Sequence, residues 1–402
     1  MPKSNQITIG DILILFLTIG IYCFDGDANL NRYLYVIAII FIGYMIVYLL
    51  NKKFLDIHYF ITWFPFILIC ALSCLWTIDA SASTSRVSTL LLNYILFGLL
   101  FVYVIDFDKC DHLLRDIAVA GGVFSIYIVV YYGGFSSFIA LMQSSSGRIG
   151  GEVAHLSRIG QSLTLSGVVS ANLALKRKTK AETIIFSFIY VLNIIVILAS
   201  QSRTSLAVVI IGTVITFLTY IRSERVRSWL PRLVVIMIVL FLIYQYVDFS
   251  SVLGRWEGIA DILSGGSGDA SSEERLDLIR IGLDKFTERP LLGWGINSSG
   301  SLSSYQAYLH NNFVELLATV GLTGFISFYA VYVKEFIKLR KLDNKDFYTK
   351  SALILLVTQL LIMFGTVSYY VKYHYLIIVY FMAISYKYSI MKDDVSTFRK
   401  IE

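Results

Sequence analysis

The sequence predicts an all-α polytopic membrane protein. Of its 402 residues, 56% are hydrophobic and only 15% are charged, and the mean hydropathy is +0.70. Soluble globular domains carry about 25% charged residues, so the composition excludes an ordinary soluble domain. The apolar residues also fall in runs long enough to cross a bilayer as helices, which takes about 17–25 residues each.

About twelve such runs are present, and each is interpreted as a transmembrane helix. They lie near residues 9–25, 33–50, 58–76, 86–105, 114–132, 160–175, 184–199, 204–221, 233–248, 313–333, 351–369 and 374–391. The sixth and seventh are the weakest, because they are short or contain Ser and Gly. No small-residue cleavage site follows the first run, so we expect it to remain in the protein.

The basic residues predict the orientation. Twenty-three of the 34 Lys and Arg residues lie at the two ends of the chain and in alternate loops, which the positive-inside rule assigns to the cytoplasm together with both termini. The net charge of +6 is therefore interpreted as a topology signal and not as affinity for nucleic acid. One integral membrane domain results, with helices in 1–248, a large outer loop at 249–312, and helices with a cytoplasmic tail in 313–402.

Arginine predominates over lysine on the predicted outer face. Nine Arg and two Lys lie there, against eight Arg and fifteen Lys on the inner face. The planar guanidinium matches phosphate oxygens with two parallel hydrogen bonds, which lysine cannot make. The pattern favours an anionic, phosphate-bearing ligand outside, although ion pairs with the acidic residues of the loops are an alternative explanation.

The larger outer loop contains a predicted amphipathic helix, "SSEERLDLIRIGLDKFTERP". Ser271 and Glu274 form a capping-box pattern, and Pro290 marks the end. We expect the helix to lie on the membrane surface with its apolar side down and to hold Arg275 and Arg280 at headgroup height. Its apolar stripe consists of Leu276, Ile279, Leu283 and Phe286.

The stretch "YLHNNFVELLATVGLTGF" follows this loop and begins a predicted span. His310 is the strongest catalytic candidate, because an imidazole at the water–membrane boundary can accept a proton from a hydroxyl group near neutral pH. The alternative is an ordinary helix start with Asn312 as the N-cap and Glu315 as its partner. Capping would leave His310 and Asn311 unexplained.

Other outer-face side chains are weaker candidates. Arg203 lies in a tight turn between two spans, where a charge beside hydrocarbon is either functional or an interfacial anchor. Four tyrosines could stack on sugar rings, namely Tyr305, Tyr308, Tyr369 and Tyr370. The four cysteines have no metal-binding or CxxC spacing, and no carboxylate cluster lies outside, so neither a metal nor another cofactor is predicted.

Four motifs in this order resemble the O-antigen polymerase and O-antigen ligase superfamily of bacterial envelope glycan assembly. They are "CLWTIDASAS" after the third span, "SQSRTSL" at the tight turn, "EERLDLIRIGLDKFTERPLLGWG" in the large loop, and "HNNFVELLATVGLTGF". The hydropathy plan extends the resemblance over most of the chain, whereas the last three motifs cover about 203–325.

The resemblance implies a GT-C-like glycosyltransferase that uses undecaprenyl-diphosphate-linked oligosaccharides at the outer face of the bacterial inner membrane. It implies that Arg203 and Arg275 hold the donor pyrophosphate and that His310 activates the acceptor hydroxyl. Arg280 is assigned to the same pyrophosphate. Arg148 and Arg158 are assigned either to the pyrophosphate of the second substrate or to pairing with Glu152. Asn311 and Glu315 are assigned supporting roles at the helix start.

A polymerase of O-antigen or capsule is favoured, because the last outer turn, "SYYVKYHYL", lacks the acidic residue associated with ligases. A ligase that transfers glycan to lipid A core is the close alternative. A transporter or flippase of lipid-linked sugars should instead carry polar groups within its spans and near-symmetric halves. The expected partners are the lipid-linked repeat unit, the bilayer and a chain-length regulator protein.

Overall fold

The computed structural model describes residues 7–25, 29–52, 55–143, 156–176, 179–221, 270–342 and 346–398. Within these ranges the regular secondary structure is entirely α-helical, in agreement with the predicted class. The helices are α1 (Ile9–Cys23), α2 (Asn31–Leu50), α3 (His58–Ser73), α4 (Ala80–Asp106), α5 (Cys110–Tyr131), α6 (Phe135–Gln143), α7 (Leu156–Lys176), α8 (Lys180–Ala199), α9 (Arg203–Ile221), α10 (Ala270–Glu288), α11 (Ser299–Leu302), α12 (Asn312–Arg340), α13 (Phe347–Met363) and α14 (Lys372–Phe398).

Eleven of the twelve predicted spans coincide with one of these helices, and the ninth, 233–248, lies outside the described residues. Six helices of the described chain are long and apolar enough to cross a membrane, namely α2, α4, α5, α8, α9 and α12. Shorter apolar helices are α1, α3 and α13. The chain is therefore a polytopic membrane protein, and the total of twelve spans stays a prediction.

Two short helices lie in segments that the sequence suggested to be loops. α6 occupies part of the predicted first outer loop, and Phe138, a fully buried side chain, anchors it. α11 is a single turn within the Gly/Ser-rich stretch that follows α10. Both segments are shorter than the runs that mark a helix in sequence, although the apolar residues of α6 follow the helical spacing.

Two compact units are formed, and each combines segments that are distant in sequence. Unit 1 comprises Met1–Gly10, Ala38–Cys110 and Ala270–Glu402, and unit 2 comprises Asp11–Ile37 and Asp111–Asp269. In unit 1, α12 packs against α3, α10, α13 and α14, while α4 packs against α3 and α14.

Aromatic side chains fill the core of unit 1. The Phe328 ring centroid lies 5.5 Å from that of Trp63 and 5.0 Å from that of Phe66. Phe97 stacks on Tyr375 with centroids 5.2 Å apart. All five rings are buried. Contacts of this kind join α3, α4, α12 and α14, so the middle of α12 rests on a well-packed support.

α7 is the central helix of unit 2, although its sequence is among the weakest predicted spans. It packs against α8 and α9, and small polar residues hold it there. The Asn193 amide accepts a hydrogen bond from Ser125 Oγ (2.8 Å) and donates to Ser166 Oγ (3.0 Å). Asn172 donates to Thr216 Oγ1 at 3.2 Å. Ser and Gly lower the hydropathy of such a helix but allow close, hydrogen-bonded packing.

These buried groups change one part of the sequence interpretation. Polar groups within the spans are expected of a transporter, and Ser125, Ser166 and Asn193 lie within helices and are fully buried. They bond to one another across α5, α7 and α8. Interhelical hydrogen bonds of this type stabilise helix packing, so the network does not by itself indicate a transport path.

Candidate functional site

Three of the sequence motifs meet in unit 1. The segment that follows α3 contacts the segment that follows α10, because Trp76 donates its indole N–H to the Leu292 carbonyl (3.3 Å) and the Ile78 amide donates to the Trp294 carbonyl (3.3 Å). The latter segment in turn bonds to α12, where the Trp294 amide donates to the Ala318 carbonyl at 3.1 Å. "CLWTIDASAS", "LLGWG" and "HNNFVELLATVGLTGF" therefore form one structural element.

A break in α12 makes the second of these junctions possible. Gly321 has φ 63° and ψ −168° inside the helix, a combination that essentially only glycine adopts. The break leaves backbone groups free to bond outside the helix. The Leu322 amide donates to the Pro290 carbonyl (2.8 Å), and the Gly295 amide donates to the Thr319 carbonyl (2.8 Å). The loop after α10 is thereby fixed along α12.

The start of α12 is capped by Asn311, whose side-chain oxygen accepts from the Phe313 and Val314 amides at 2.9 and 3.1 Å. The sequence interpretation, in which Asn312 is the cap, was wrong by one residue. Asn312 is fully buried and bonds to a different part of the chain. Its oxygen accepts from the Ser368 and Tyr369 amides at 2.8 and 2.9 Å. It therefore ties the helix start to the turn between α13 and α14.

Glu315 is not a capping partner either. Its carboxylate is 1% exposed, accepts from Ser299 Oγ at 2.8 Å and accepts from the Leu309 amide at 3.1 Å. These bonds connect α12 to α11 and to the residue before His310. A buried carboxylate with two donors organises the loop that carries the candidate base.

His310 adopts a left-handed backbone conformation, with φ 53°. Its ring centroid lies 4.2 Å from that of Tyr308. Asn297 and Gln306 also have positive φ values, 61° and 51°. Such conformations cost roughly 1–3 kcal/mol each in non-glycine residues and cluster at functional sites. Three such residues within fourteen indicate that this segment keeps a particular backbone conformation at a cost in folding free energy.

A pocket of about 460 Å³ lies beside this loop. We call it the Arg86 pocket. The residues that line it are Asp79, Ala82, Arg86, Asn297, Ser299, Gly300, Ser301, Gln306, Tyr308, Glu315, Val367 and Tyr370. Its volume lies in the roughly 300–1,000 Å³ range of small-molecule sites. Two aromatic rings, three ionisable groups and several hydroxyl and amide groups converge on it.

Arg86 is the residue that sequence reasoning missed. Its Nε and Nη2 donate to Asn297 Oδ1 at 3.2 and 2.9 Å. Its guanidinium carbon lies 3.4 Å from the Tyr370 ring centroid. The position was recognised only as one of the outer arginines. The signal available was its place seven residues after Asp79 in "WTIDASASTSR", two helical turns into α4.

Residues 188–329 match the family model described as O-antigen ligase. Over this segment the chain is similar to the O-antigen ligase family. The match spans α8 to the middle of α12 and includes Arg203, Arg275 and His310. It supports the resemblance drawn from the sequence motifs. No curated protein matches the chain.

The predicted site residues of unit 1 are distributed over two places. Tyr308, Glu315 and their neighbour His310 lie at or beside the Arg86 pocket, whereas Arg275 and Arg280 are not among its lining residues. Arg280 lies five positions after Arg275, so the two side chains point about 140° apart around α10. Arg280 is 76% exposed and pairs with Asp277 at 3.4 Å, whereas Arg275 is half-buried.

α10 begins one residue before and ends two residues before the predicted limits, Ser271 and Pro290, and its predicted apolar stripe is only partly buried, with Ile279 packed against the buried cluster. Leu278 is fully buried against Leu309 and Val314. Leu276 and Leu283, which belong to the predicted stripe, are 36% and 43% exposed. The capping-box side chain of Ser271 lies outside the described side chains. Placement of the exposed leucines on the membrane surface stays a prediction.

The remaining predicted arginines belong to unit 2 or lie outside the described residues. Arg203 opens α9 directly after the tight turn at Ser200–Ser202 and is half-buried. Arg158 pairs with Asp25, so the suggested pairing with Glu152 is not the one found. Arg148 and Glu152 both lie outside the described residues. The assignment of Arg148 and Arg158 to a pyrophosphate stays a prediction.

The other predicted aromatic and metal-site features can be placed as well. Tyr370 lines the Arg86 pocket together with Tyr308, Tyr369 is buried in the core, and Tyr305 is 44% exposed. Lys372 and His374 of the last turn are buried and do not line the pocket. Over the described ranges, no group of three or more His, Cys, Asp or Glu side chains is arranged to hold a metal ion.

Proposed function

We propose that this protein is a glycosyltransferase that polymerises bacterial surface polysaccharide, O-antigen or capsule, from undecaprenyl-diphosphate-linked repeat units. The observation that carries the proposal is the Arg86 pocket beside His310, within a chain that matches the O-antigen ligase model. A concave, polar site with aromatic walls suits a sugar substrate. The apolar helices suit a donor whose lipid remains in the bilayer.

His310 is proposed as the general base. A hydroxyl oxygen of the acceptor sugar forms a bond to the anomeric carbon of the donor glycan, and the hydroxyl proton passes to the His310 imidazole. The bond between the anomeric carbon and the diphosphate oxygen breaks, and the lipid diphosphate leaves with the electron pair. The left-handed backbone at His310 and the contact with Tyr308 set the direction of the imidazole.

Arginines are proposed to stabilise the negative charge that develops on the leaving diphosphate. Arg275 and Arg203 take this role in the proposal, with Arg280 as a more exposed contributor on another side of α10. Arg148 and Arg158 are proposed contacts for the second lipid-linked substrate. Because fixed guanidinium groups can neutralise a diphosphate, we also propose that transfer needs no divalent metal. Loss of activity in EDTA with recovery in Mg²⁺ or Mn²⁺ would refute this.

A ligase is the second candidate, because the matching family model carries that description. Its acceptor would be lipid A core in place of a lipid-linked repeat unit. Deletion of the gene separates the two. Loss of a polymerase leaves single repeat units on the final acceptor, whereas loss of a ligase leaves the acceptor without glycan. The proposed setting is the bacterial inner membrane with both termini in the cytoplasm and a chain-length regulator as partner.

The decisive experiment is assembly in vitro from purified full-length protein and a purified undecaprenyl-diphosphate-linked repeat unit. A polymerase produces a ladder of lipid-linked products on a gel. Absence of products with this substrate, together with transfer to lipid A core, would replace the polymerase by the ligase. Absence of both activities in protein that remains folded would reject glycosyl transfer.

A further inference from the structure

We propose that the Arg86 pocket binds an uncharged pyranose ring of the acceptor glycan and that Asp79 excludes acidic sugars. The inference rests on the proposed glycosyl transfer and adds to it the chemical class of the acceptor sugar. It also assigns a specificity-determining residue outside the matched segment 188–329.

The walls suit a sugar ring. Tyr308 and Tyr370 both line the pocket, and aromatic faces contact the C–H groups of a pyranose while their hydroxyls can bond to its oxygens. The Tyr370 ring is held in place by Arg86, whose guanidinium lies over it at 3.4 Å. A ring fixed in this way offers a rigid surface that loses little side-chain entropy on binding.

The polar groups suit neighbouring hydroxyls. Ser301 and Gln306 are exposed at the pocket, and Asn297, which accepts from Arg86, also lines it. Hydroxyl and amide groups both donate and accept hydrogen bonds, as do sugar hydroxyls. Asn297 and Gln306 hold their positions through strained left-handed backbone conformations. The pocket therefore presents preformed hydrogen-bond donors and acceptors that are uncharged.

The charges disfavour an acidic sugar. Among the described residues that line the pocket, Arg86 is the single cation, against the two carboxyl groups of Asp79 and Glu315. Two guanidinium N–H groups of Arg86 already bond to Asn297. Asp79 accepts from the Ala82 amide and from Ser301 Oγ, both at 2.9 Å. These bonds lower the pKa of Asp79, so its carboxylate is charged at neutral pH and repels a second carboxylate.

The pocket also has the right position for an acceptor. Tyr308 lines it, and the His310 ring lies against Tyr308 with centroids 4.2 Å apart. A pyranose held between Tyr308 and Tyr370 thus lies beside the proposed base. Glu315 joins the two features, because it lines the pocket and also accepts from the amide of Leu309, the residue before His310.

The test uses saturation-transfer NMR on purified full-length protein in nanodiscs. The probes are methyl β-glucopyranoside, which is neutral, and methyl β-glucuronide, which differs from it by one carboxylate. Wild type should bind the glucoside in preference to the glucuronide by about tenfold, the scale expected for two carboxylates at close range. Asp79→Asn should remove most of that preference. Asparagine is as good an N-cap as aspartate, so α4 should remain folded.

The matched control is Asp108→Asn, the same chemical change at the other end of α4 on an exposed side chain that pairs with Lys387. It should leave the preference as in wild type. Equal binding of the two probes by wild type, an unchanged preference in Asp79→Asn, or no binding of the glucoside would each overturn the inference. Ladder formation in the in vitro assay, measured on the same preparation, decides the proposed function separately. Ladders without glucoside binding would reject only the acceptor pocket.

Discussion

Gly293 and Gly321 lie against each other where the loop after α10 meets the break in α12. A Cβ atom on Gly293 would lie 2.7 Å from the Gly321 nitrogen, and a Cβ atom on Gly321 would lie 2.4 Å from the Leu291 carbonyl carbon. Both distances are shorter than real Cβ contacts. The two glycines allow two backbone segments to bond directly, and this contact holds the "LLGWG" loop beside the Arg86 pocket.

Gly321→Ala should therefore destabilise unit 1 strongly. The substitution adds a Cβ in contact with fixed backbone and imposes a conformation that costs roughly 1–3 kcal/mol by itself. The expected result is a clear fall in the thermal unfolding midpoint of purified protein and a loss of transfer. Gly43→Ala is the control, because a Cβ there meets nothing within 4 Å. An unchanged midpoint in Gly321→Ala would contradict this account of the junction.

His310→Asn should abolish transfer without unfolding the protein. Asparagine tolerates the left-handed conformation found at this position better than most residues, but it cannot accept the proton. We expect a loss of roughly 100-fold or more in the rate of ladder formation, the usual contribution of a general base. His310→Gly should behave in the same way. Ladders at the wild-type rate from either variant, at equal protein levels, would reduce His310 to a structural residue.

Asn312→Ala should cost more stability than Asn311→Ala, although the two residues are adjacent. Removal of the Asn311 cap costs about 1 kcal/mol. Removal of the Asn312 side chain leaves the buried Ser368 and Tyr369 amides without their acceptor, at about 1–3 kcal/mol for each unsatisfied group. Denaturant unfolding of the two variants measures the difference. Asn312→Asp keeps the acceptor and should be milder than Asn312→Ala. The reverse order of the two alanine variants would show that the tie to the α13–α14 turn is unimportant.

Arg86→Lys should raise the KM for the acceptor while the protein remains folded. Lysine keeps the positive charge but cannot donate two parallel bonds to Asn297 or cover the Tyr370 ring as a planar group. Steady-state transfer kinetics with varied acceptor should show about a tenfold increase in KM, the effect of losing roughly 1.4 kcal/mol. Arg32→Lys is the matched control, since Arg32 also lies over a tyrosine ring, Tyr33, but does not line the pocket. An unchanged KM in Arg86→Lys would remove this arginine from the site.

Asp79 should make the stability of wild type pH-dependent relative to Asp79→Asn. Hydrogen bonds from the Ala82 amide and Ser301 lower the pKa of Asp79 from its ordinary value of 3.8. A carboxyl group with a lowered folded-state pKa stabilises the protein above the unfolded-state value, and this contribution disappears as the pH falls through the folded-state value. The unfolding midpoints of wild type and Asp79→Asn, measured from pH 7 to pH 3, should therefore converge only at the acidic end of this range. Parallel curves for the two proteins would indicate that Asp79 has no such bonds.

The sequence by itself determined the helical class and most helix positions, and its motifs carried the resemblance to the O-antigen ligase and polymerase superfamily. Apolar runs of spanning length have few structures open to them in a bilayer, because every backbone group must be paired internally. The motifs that contain Arg203, Arg275 and His310 are short contiguous stretches, so they can be recognised from the sequence alone. α10 likewise follows from its composition and from Pro290.

Tertiary structure decided which of these residues share a site. Asp79 and Arg86 come from the start of α4, Asn297 and Tyr308 from the segment before α12, and Tyr370 from the turn before α14. Their separation in sequence is too large for any periodicity to connect them. Asn311 rather than Asn312 became the cap because the buried Ser368 and Tyr369 amides required the Asn312 side chain. The buried amides of a distant turn need hydrogen-bond acceptors, and which side chain supplies them is decided only when the chain folds.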